Sequence, residues 1–196
     1  MISFSSLANP LSLPKYFSPI GRKYKYPFDK TIICSSEWRA HKRREGIIEG
    51  FKKINNSNTG LVILGKYEKK YNYKNVIYLG RVSPHKLPYY LRSADVFVHL
   101  SWLDWCPNVV VEALTCGLPV LCSHNGGTKE LVKDSGIVLR LEEDYNFNKV
   151  ALYKPPEPDP GIVAHGMKEL LEWNKSIVRT DLYIDHVAKQ YIDFIL

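Results

Sequence analysis

From Thr31 onward, short runs of Val, Ile and Leu alternate with longer stretches of helical period, and no other feature constrains the fold of this chain so strongly. Six runs read as strands, at 31–34, 60–64, 75–79, 95–100, 118–122 and 136–139. Each is short and rich in Val or Ile, as strands covered on both faces by helices tend to be. Between and after them the pattern predicts helices at 42–55, 84–93, 108–116, 128–134, 160–173 and 180–195. Strand followed by helix, repeated, specifies an α/β chain with a single doubly wound, Rossmann-like parallel sheet, whose ligands lie at the carboxyl ends of the strands.

The flanks read differently. Residues 1–30 are rich in Pro, Ser, Tyr and Lys without either period and form a linker arm. Residues 31–175 are the Rossmann-like unit, and the proline-rich stretch 142–160 is a crossing loop, because proline removes a backbone donor and fixes φ. In the helical segment 176–196, Leu182, Ile184, Val187, Tyr191, Phe194 and Ile195 are apolar. Two placements are open for it: packing on its own sheet, or crossing towards a second domain.

At 196 residues with 45% hydrophobic content the chain can bury one substantial core. No apolar stretch approaches the roughly 20 residues needed to span a bilayer, and the first residues lack the pattern of a secretory signal, so the chain is expected to be cytoplasmic. Residues 1–74 carry 15 Lys and Arg against 5 acids, so the whole formal excess of +7 lies in the front part. A basic front can attract phosphates, nucleic acid or, peripherally, an anionic membrane surface. Cys34, Cys106, Cys116 and Cys122 lack C-x-x-C pairing and are expected to be reduced core or near-core residues. The six histidines show no metal-ligand spacing, so no metal site is expected.

Three segments carry chemistry. Asp104 is expected in the loop after the fourth strand, and Pro107-Asn108 opens the helix bearing Glu112. Two carboxylates beside the free amides of a helix start suit sugar hydroxyls, since an ionised carboxylate accepts through both oxygens; a cap at Asp104 with a surface Glu112 is the plainer alternative. In Ser123-His-Asn-Gly-Gly-Thr128, glycines allow close backbone approach and the next helix start offers donors to an anion such as a diphosphate, where a plain tight turn is the alternative. Arg39 and Lys42, where the first strand gives way to the first helix, can neutralise that diphosphate; a solvated or RNA-facing basic patch is the alternative.

Together these segments resemble the C-terminal, donor-binding half of a retaining GT-B glycosyltransferase of family 4 (group 1). The resemblance rests on Asp104, seven residues, Glu112, then Ala113-Leu-Thr-Cys116-Gly117-Leu-Pro119-Val120 and Gly126-Gly127-Thr-Lys-Glu130, with Gly80-Arg-Val-Ser and Lys42 upstream. It implies that Glu112 binds the nucleotide ribose, Asp104 the transferred sugar, and Lys42 with Gly126, Gly127 and Thr128 the diphosphate. Gly80, Arg81 and Val82 would hold the base, with Asn108 and Val109 lining the donor site. It implies hexosyl transfer from a UDP-, GDP- or ADP-sugar with retention at the anomeric carbon, without a metal or other cofactor. The acceptor is left open among glycan, lipid and protein.

The sequence departs from that pattern in four ways. The first acid is Asp104 where Glu is usual, and the usual glycine-rich segment after it is Trp105-Cys-Pro-Asn108. The usual arginine five residues before the lysine is Glu37, with Arg39 as its substitute. The acceptor-binding half that precedes the linker in such enzymes has no counterpart among these 196 residues, so the sequence is expected either to be one half of a longer or split enzyme or to take that half from a partner. A non-catalytic nucleotide-sugar-binding or interaction module is the main rival reading. Nucleic-acid binding is disfavoured because no aromatic-plus-basic sheet motif is present.

Overall fold

The computed structural model describes residues 16–54, 56, 58–67 and 70–195; Asn9 and Pro10 of the arm lie outside the described residues. The strands are β1 (Lys30–Ser35), β2 (Thr59–Leu64), β3 (Val76–Gly80), β4 (Val96–His99), β5 (Val120–Ser123) and β6 (Gly136–Leu139). They form one six-stranded sheet in the order β3-β2-β1-β4-β5-β6, with every pairing parallel. The chain winds outward from β1 to β3 and then returns to start again beside β1 at β4. The switch point therefore lies between β1 and β4, where a doubly wound sheet opens a crevice at its carboxyl edge.

The helices are α1 (Arg44–Lys52), α2 (Leu87–Leu91), α3 (Asn108–Thr115), α4 (Thr128–Val132), α5 (Pro160–Leu171) and α6 (Ile184–Ile195). Side chains alternate across the sheet with the period of two that a strand imposes. Ile32, Leu61, Ile63, Val96 and Val98 pack with Ile47, Ile48, Val163 and Met167 of α1 and α5. Ile33, Val62, Leu64, Phe97 and Val120 pack on the other face with Leu91, Val110, Leu114 and Val132 of α2, α3 and α4. A fully buried leucine- or isoleucine-sized side chain contributes about 1.5–3 kcal/mol, and these two layers hold the sheet edge rigid.

Three elements differ from expectation. The first helix begins at Arg44 because Arg43 adopts a left-handed conformation (φ 52°) after a 3₁₀ turn at Ala40–Lys42. The second is shortened, since Lys86 and Leu87 N–H turn back to Ser83 O at 2.9 and 3.1 Å. The last is divided by an extended Tyr183 between a 3₁₀ turn at Thr180–Leu182 and α6.

Residues 16–29 contain no strand, yet they are packed: Phe17 and Tyr26 are buried, and Arg92 Nε donates to Ser18 O at 2.6 Å. By contrast α6 buries none of its residues, and Tyr191, Phe194 and Ile195 stand exposed. Cys106 is also exposed, contrary to the expected near-core placement, because it sits on the projecting loop after β4; Cys34, Cys116 and Cys122 are buried. No helix among the described residues is long and apolar enough to cross a membrane.

Candidate functional site

At the β1/β4 switch point two adjoining cavities form one crevice. One, of about 360 Å³, is lined by Arg39, His41, Lys42, His99 and Asp104; the other, of about 270 Å³, by Lys66, Arg81, Val82 and Glu112. Ser36, Glu37, Asn108 and Val109 line both. The crevice thus brings together Arg39, Lys42, Arg81, Val82, Asp104, Asn108, Val109 and Glu112 of the residues expected at a site. Asn108 and Val109 open α3, so their N–H groups precede the first intrahelical bond and remain available at the crevice wall.

The loops carrying these residues are fastened by hydrogen bonds to backbone carbonyls. Trp38 Nε1 donates to Leu64 O at 2.7 Å, fixing the loop after β1 against β2. Trp102 N–H donates to His41 O at 2.7 Å, joining the loops after β1 and β4. Asp104 forms a parallel bridge to Gly126, and Gly127 N–H donates to Asp104 O at 3.0 Å. A Cβ on Gly127 would meet Trp105 O at 2.1 Å, so only glycine admits this approach. Gly126, Gly127 and Thr128 therefore stand behind Asp104 and are not among the residues lining the two cavities. Gly80 is likewise not among them: it ends β3 at φ 71°, where its carbonyl accepts from Gly65 N–H at 2.8 Å.

The two carboxylates lie in opposite surroundings. Asp104 Oδ2 accepts from the Lys42 ammonium and lies 3.1 Å from His99 Nε2. Burial alone would raise the Asp104 pKa, but the hydrogen bonds from His99 and Lys42 and their charges hold it far below the ordinary carboxylate range. Glu112 lies at the other cavity, and burial pushes its carboxyl up to about 7. It is a half-buried acid poised to change charge near neutrality.

Of the basic run, only part faces the crevice. Arg39 is mostly exposed and lies 3.7 Å from Glu37, which also accepts from Arg81 Nη2 at 2.6 Å. These three form a solvated rim, where ion pairs are weak. Arg43 turns away: its buried guanidinium donates to Glu142 Oε2 at 2.8 Å, while Asn125 Nδ2 donates to Glu142 Oε1 at 3.0 Å. Arg44 is also buried and donates to Glu45 Oε1 at 2.7 Å. Two of these arginines are thus buried away from the crevice, and Lys42 is the cation that contacts Asp104 there.

Sequence reasoning missed His99, Glu142 and Asn125. His99 carried a usable signal, being a polar residue at the carboxyl end of a central strand, the location where a doubly wound sheet binds its ligand. Glu142 and Asn125 carried none, since each matters through Arg43, far away in sequence. Among the described residues no group of three or more His, Cys, Asp or Glu is placed to hold a metal ion.

Residues 22–149 match the family model described as glycosyl transferases group 1. The chain is 39% identical over 61 residues to O-antigen chain mannosyltransferase B of Escherichia coli, a match covering 31% of this chain and 16% of that protein. It is 41% identical over 58 residues to the putative teichuronic acid biosynthesis glycosyltransferase TuaC of Bacillus subtilis, covering 30% of this chain and 15% of that one. Two solved structures share the fold. The C-terminal domain of a group 1 glycosyl transferase from Francisella tularensis aligns with TM-score 0.66 at 17% identity, covering 91% of this chain and 97% of that one. Anabaena HepE, solved in complex with UDP and glucose, aligns with TM-score 0.62 at 16% identity, covering 98% of this chain and 51% of that one. The chain thus spans about half the length of HepE.

Proposed function

Because the chain belongs to the group 1 glycosyltransferase family, we propose that it is the donor-binding half of a retaining glycosyltransferase that moves a sugar, a hexose by resemblance, from a nucleoside-diphosphate sugar. The observation that carries this reading is the single crevice at the switch point. It holds a carboxylate paired with a lysine at one end, a half-buried carboxylate without a hydrogen-bond partner among the described residues at the other, and a helix start that lines both. A nucleotide sugar has the matching sequence of groups: sugar hydroxyls, a diphosphate, ribose hydroxyls and a base. HepE, which has this fold, was solved with UDP and glucose, and that supports the same ligand class here.

In this reading Glu112, ionised, accepts from the ribose hydroxyls, and Arg81 and Val82 flank the base. Asp104 accepts from hydroxyls of the transferred sugar. Lys42 and the first amides of α3 take the diphosphate, and Arg39 at the rim adds positive charge. These groups stabilise the negative charge that grows on the diphosphate as the sugar–phosphate bond breaks, a role fixed donors perform without reorganising. The Gly126–Gly127 turn acts through Asp104, whose backbone it seats, and α3 offers its amides where the sequence pointed to the turn. Without donor, the Lys42 charge is engaged by Asp104, so a diphosphate must compete for it.

Calorimetric titration with UDP, GDP, ADP and their sugars tests this. The chain is expected to bind one nucleotide series. Lys42→Ala and Glu112→Ala should each weaken that binding by about tenfold or more, the scale of a lost charge-assisted contact. Failure of every nucleotide to bind, or unchanged binding in both variants, would overturn the assignment. A non-catalytic module would bind donor equally well but release no nucleoside diphosphate when an acceptor domain is supplied.

A further inference from the structure

His99 is the last residue of β4, paired in register with Cys122 of β5, and it is 4% exposed. Its Nε2 stands 3.1 Å from Asp104 Oδ2, the same oxygen that accepts from Lys42. An ionised carboxylate only accepts, so the imidazole carries its proton on Nε2 and donates. The groups facing this ring are Asp104, Lys42 and His41; burial, the largest influence, keeps the His99 pKa below its usual value, so the ring is a neutral donor. Asp104 is therefore held on one oxygen by two donors of different kinds. Lys42 is charged and flexible and can be drawn to a diphosphate. His99 is neutral, buried and fixed to the sheet, and an anionic ligand gives it no reason to leave.

We propose that His99 is a positioning residue of the transfer site: it keeps Oδ2 of Asp104 fixed when the donor diphosphate draws Lys42 away, so that Oδ1 is presented to the sugar hydroxyls. The site thereby prefers a sugar-bearing donor to the bare nucleoside diphosphate. This rests on the reading that the crevice takes a nucleotide sugar. A short Asp side chain has a broad, two-fold terminal torsion. Without a second anchor, loss of the lysine would leave the carboxylate free to rotate, and ordering it again would cost binding free energy. A neutral donor supplies that anchor without cancelling the charge that attracts the hydroxyls.

The test compares affinities of UDP with UDP-glucose, GDP with GDP-mannose, and ADP with ADP-glucose, using the series the parent chain binds. His99→Leu removes the donor while filling the space, and His99→Gln retains an N–H near the Nε2 position. His99→Leu is expected to leave nucleoside diphosphate affinity within about twofold but reduce the preference for the sugar-bearing form about tenfold, the scale of a lost hydrogen bond to a charged group. His99→Gln should restore most of that preference. An unchanged preference in His99→Leu overturns the proposal. So does an equal loss for both ligands in both variants, which marks a merely structural residue. A parent chain that binds nucleoside diphosphate dependent on Lys42 but shows no sugar preference overturns the role of His99 while the donor-site reading stands. A parent chain that binds none of the six overturns both.

Discussion

The two ends of the crevice carry the same functional group in opposite electrostatic states. At one end Asp104 is held by Lys42 and His99 and stays ionised far into acid; at the other Glu112 is half-buried and its pKa is pushed up to about 7. The difference arises from partners rather than residue type, because desolvation acts against charge on both and only Asp104 has donors to overcome it. Two carboxylates driven apart in this way suit different tasks. Asp104 offers a permanent charge with a fixed direction, whereas Glu112 offers one that ligand contact can help to form.

The contrast between the two carboxylates is lost most fully by substitution at Asp104. Asp104→Asn keeps the shape, removes the charge and frees Lys42, so bare UDP, or the diphosphate of whichever series binds, should bind about three- to tenfold more tightly. The preference for the sugar-bearing form should fall by about ten- to a hundredfold, since a charged acceptor is lost. Calorimetry on both ligands reads the two effects in opposite directions; weaker binding of the bare diphosphate would show that Asp104 does not restrain the lysine.

Glu112 gives the next largest effect. If its ionised form accepts from ribose hydroxyls, affinity for a nucleotide sugar should rise about tenfold between pH 6 and 8, following ionisation centred at about 7 in the free protein, and Glu112→Gln should flatten the profile. Its stability consequence has the opposite sign. The folded-state pKa of about 7 lies above the ordinary 4.5, so the unfolded chain loses this proton first, and stability falls as pH rises from about 4.5 to about 7. Glu112→Gln should thus raise Tm by a few degrees at pH 8 and have little effect at pH 4, as read by thermal denaturation. The smallest change is expected at the rim: Arg81→Ala breaks only an exposed pair with Glu37, and Tm should stay within about one degree.

How far these features were legible depended on the range of the interactions that create them. The sheet was legible because Val and Ile runs and their spacing are local properties, and the switch-point crevice follows from the winding. The Asp104–Glu112 spacing and the lysine pointed to the same edge. The break before α1 was not legible, because an arginine rarely adopts positive φ; Arg43 does so with its side chain held by Glu142, 99 residues later. His99 was legible by its place at the carboxyl end of a central strand, but its contact was not, because that depends on how the loop folds its partner Asp104 back beside it. The packing of Phe17 and Tyr26 was equally hidden, since isolated aromatics in an irregular arm create no period.

The winding that creates the switch point also sets an order of events during synthesis. Lys42 leaves the ribosome with the first strand, but Asp104 is 62 residues later and Glu142 later still. The intervening β2 and β3 lie on the far side of β1, so they can pair while the crevice still lacks one wall. Closing that wall is a long-range event, slower than local pairing. If the crevice takes a nucleotide as proposed, nucleotide protection during translation would report completion of the second half of the sheet.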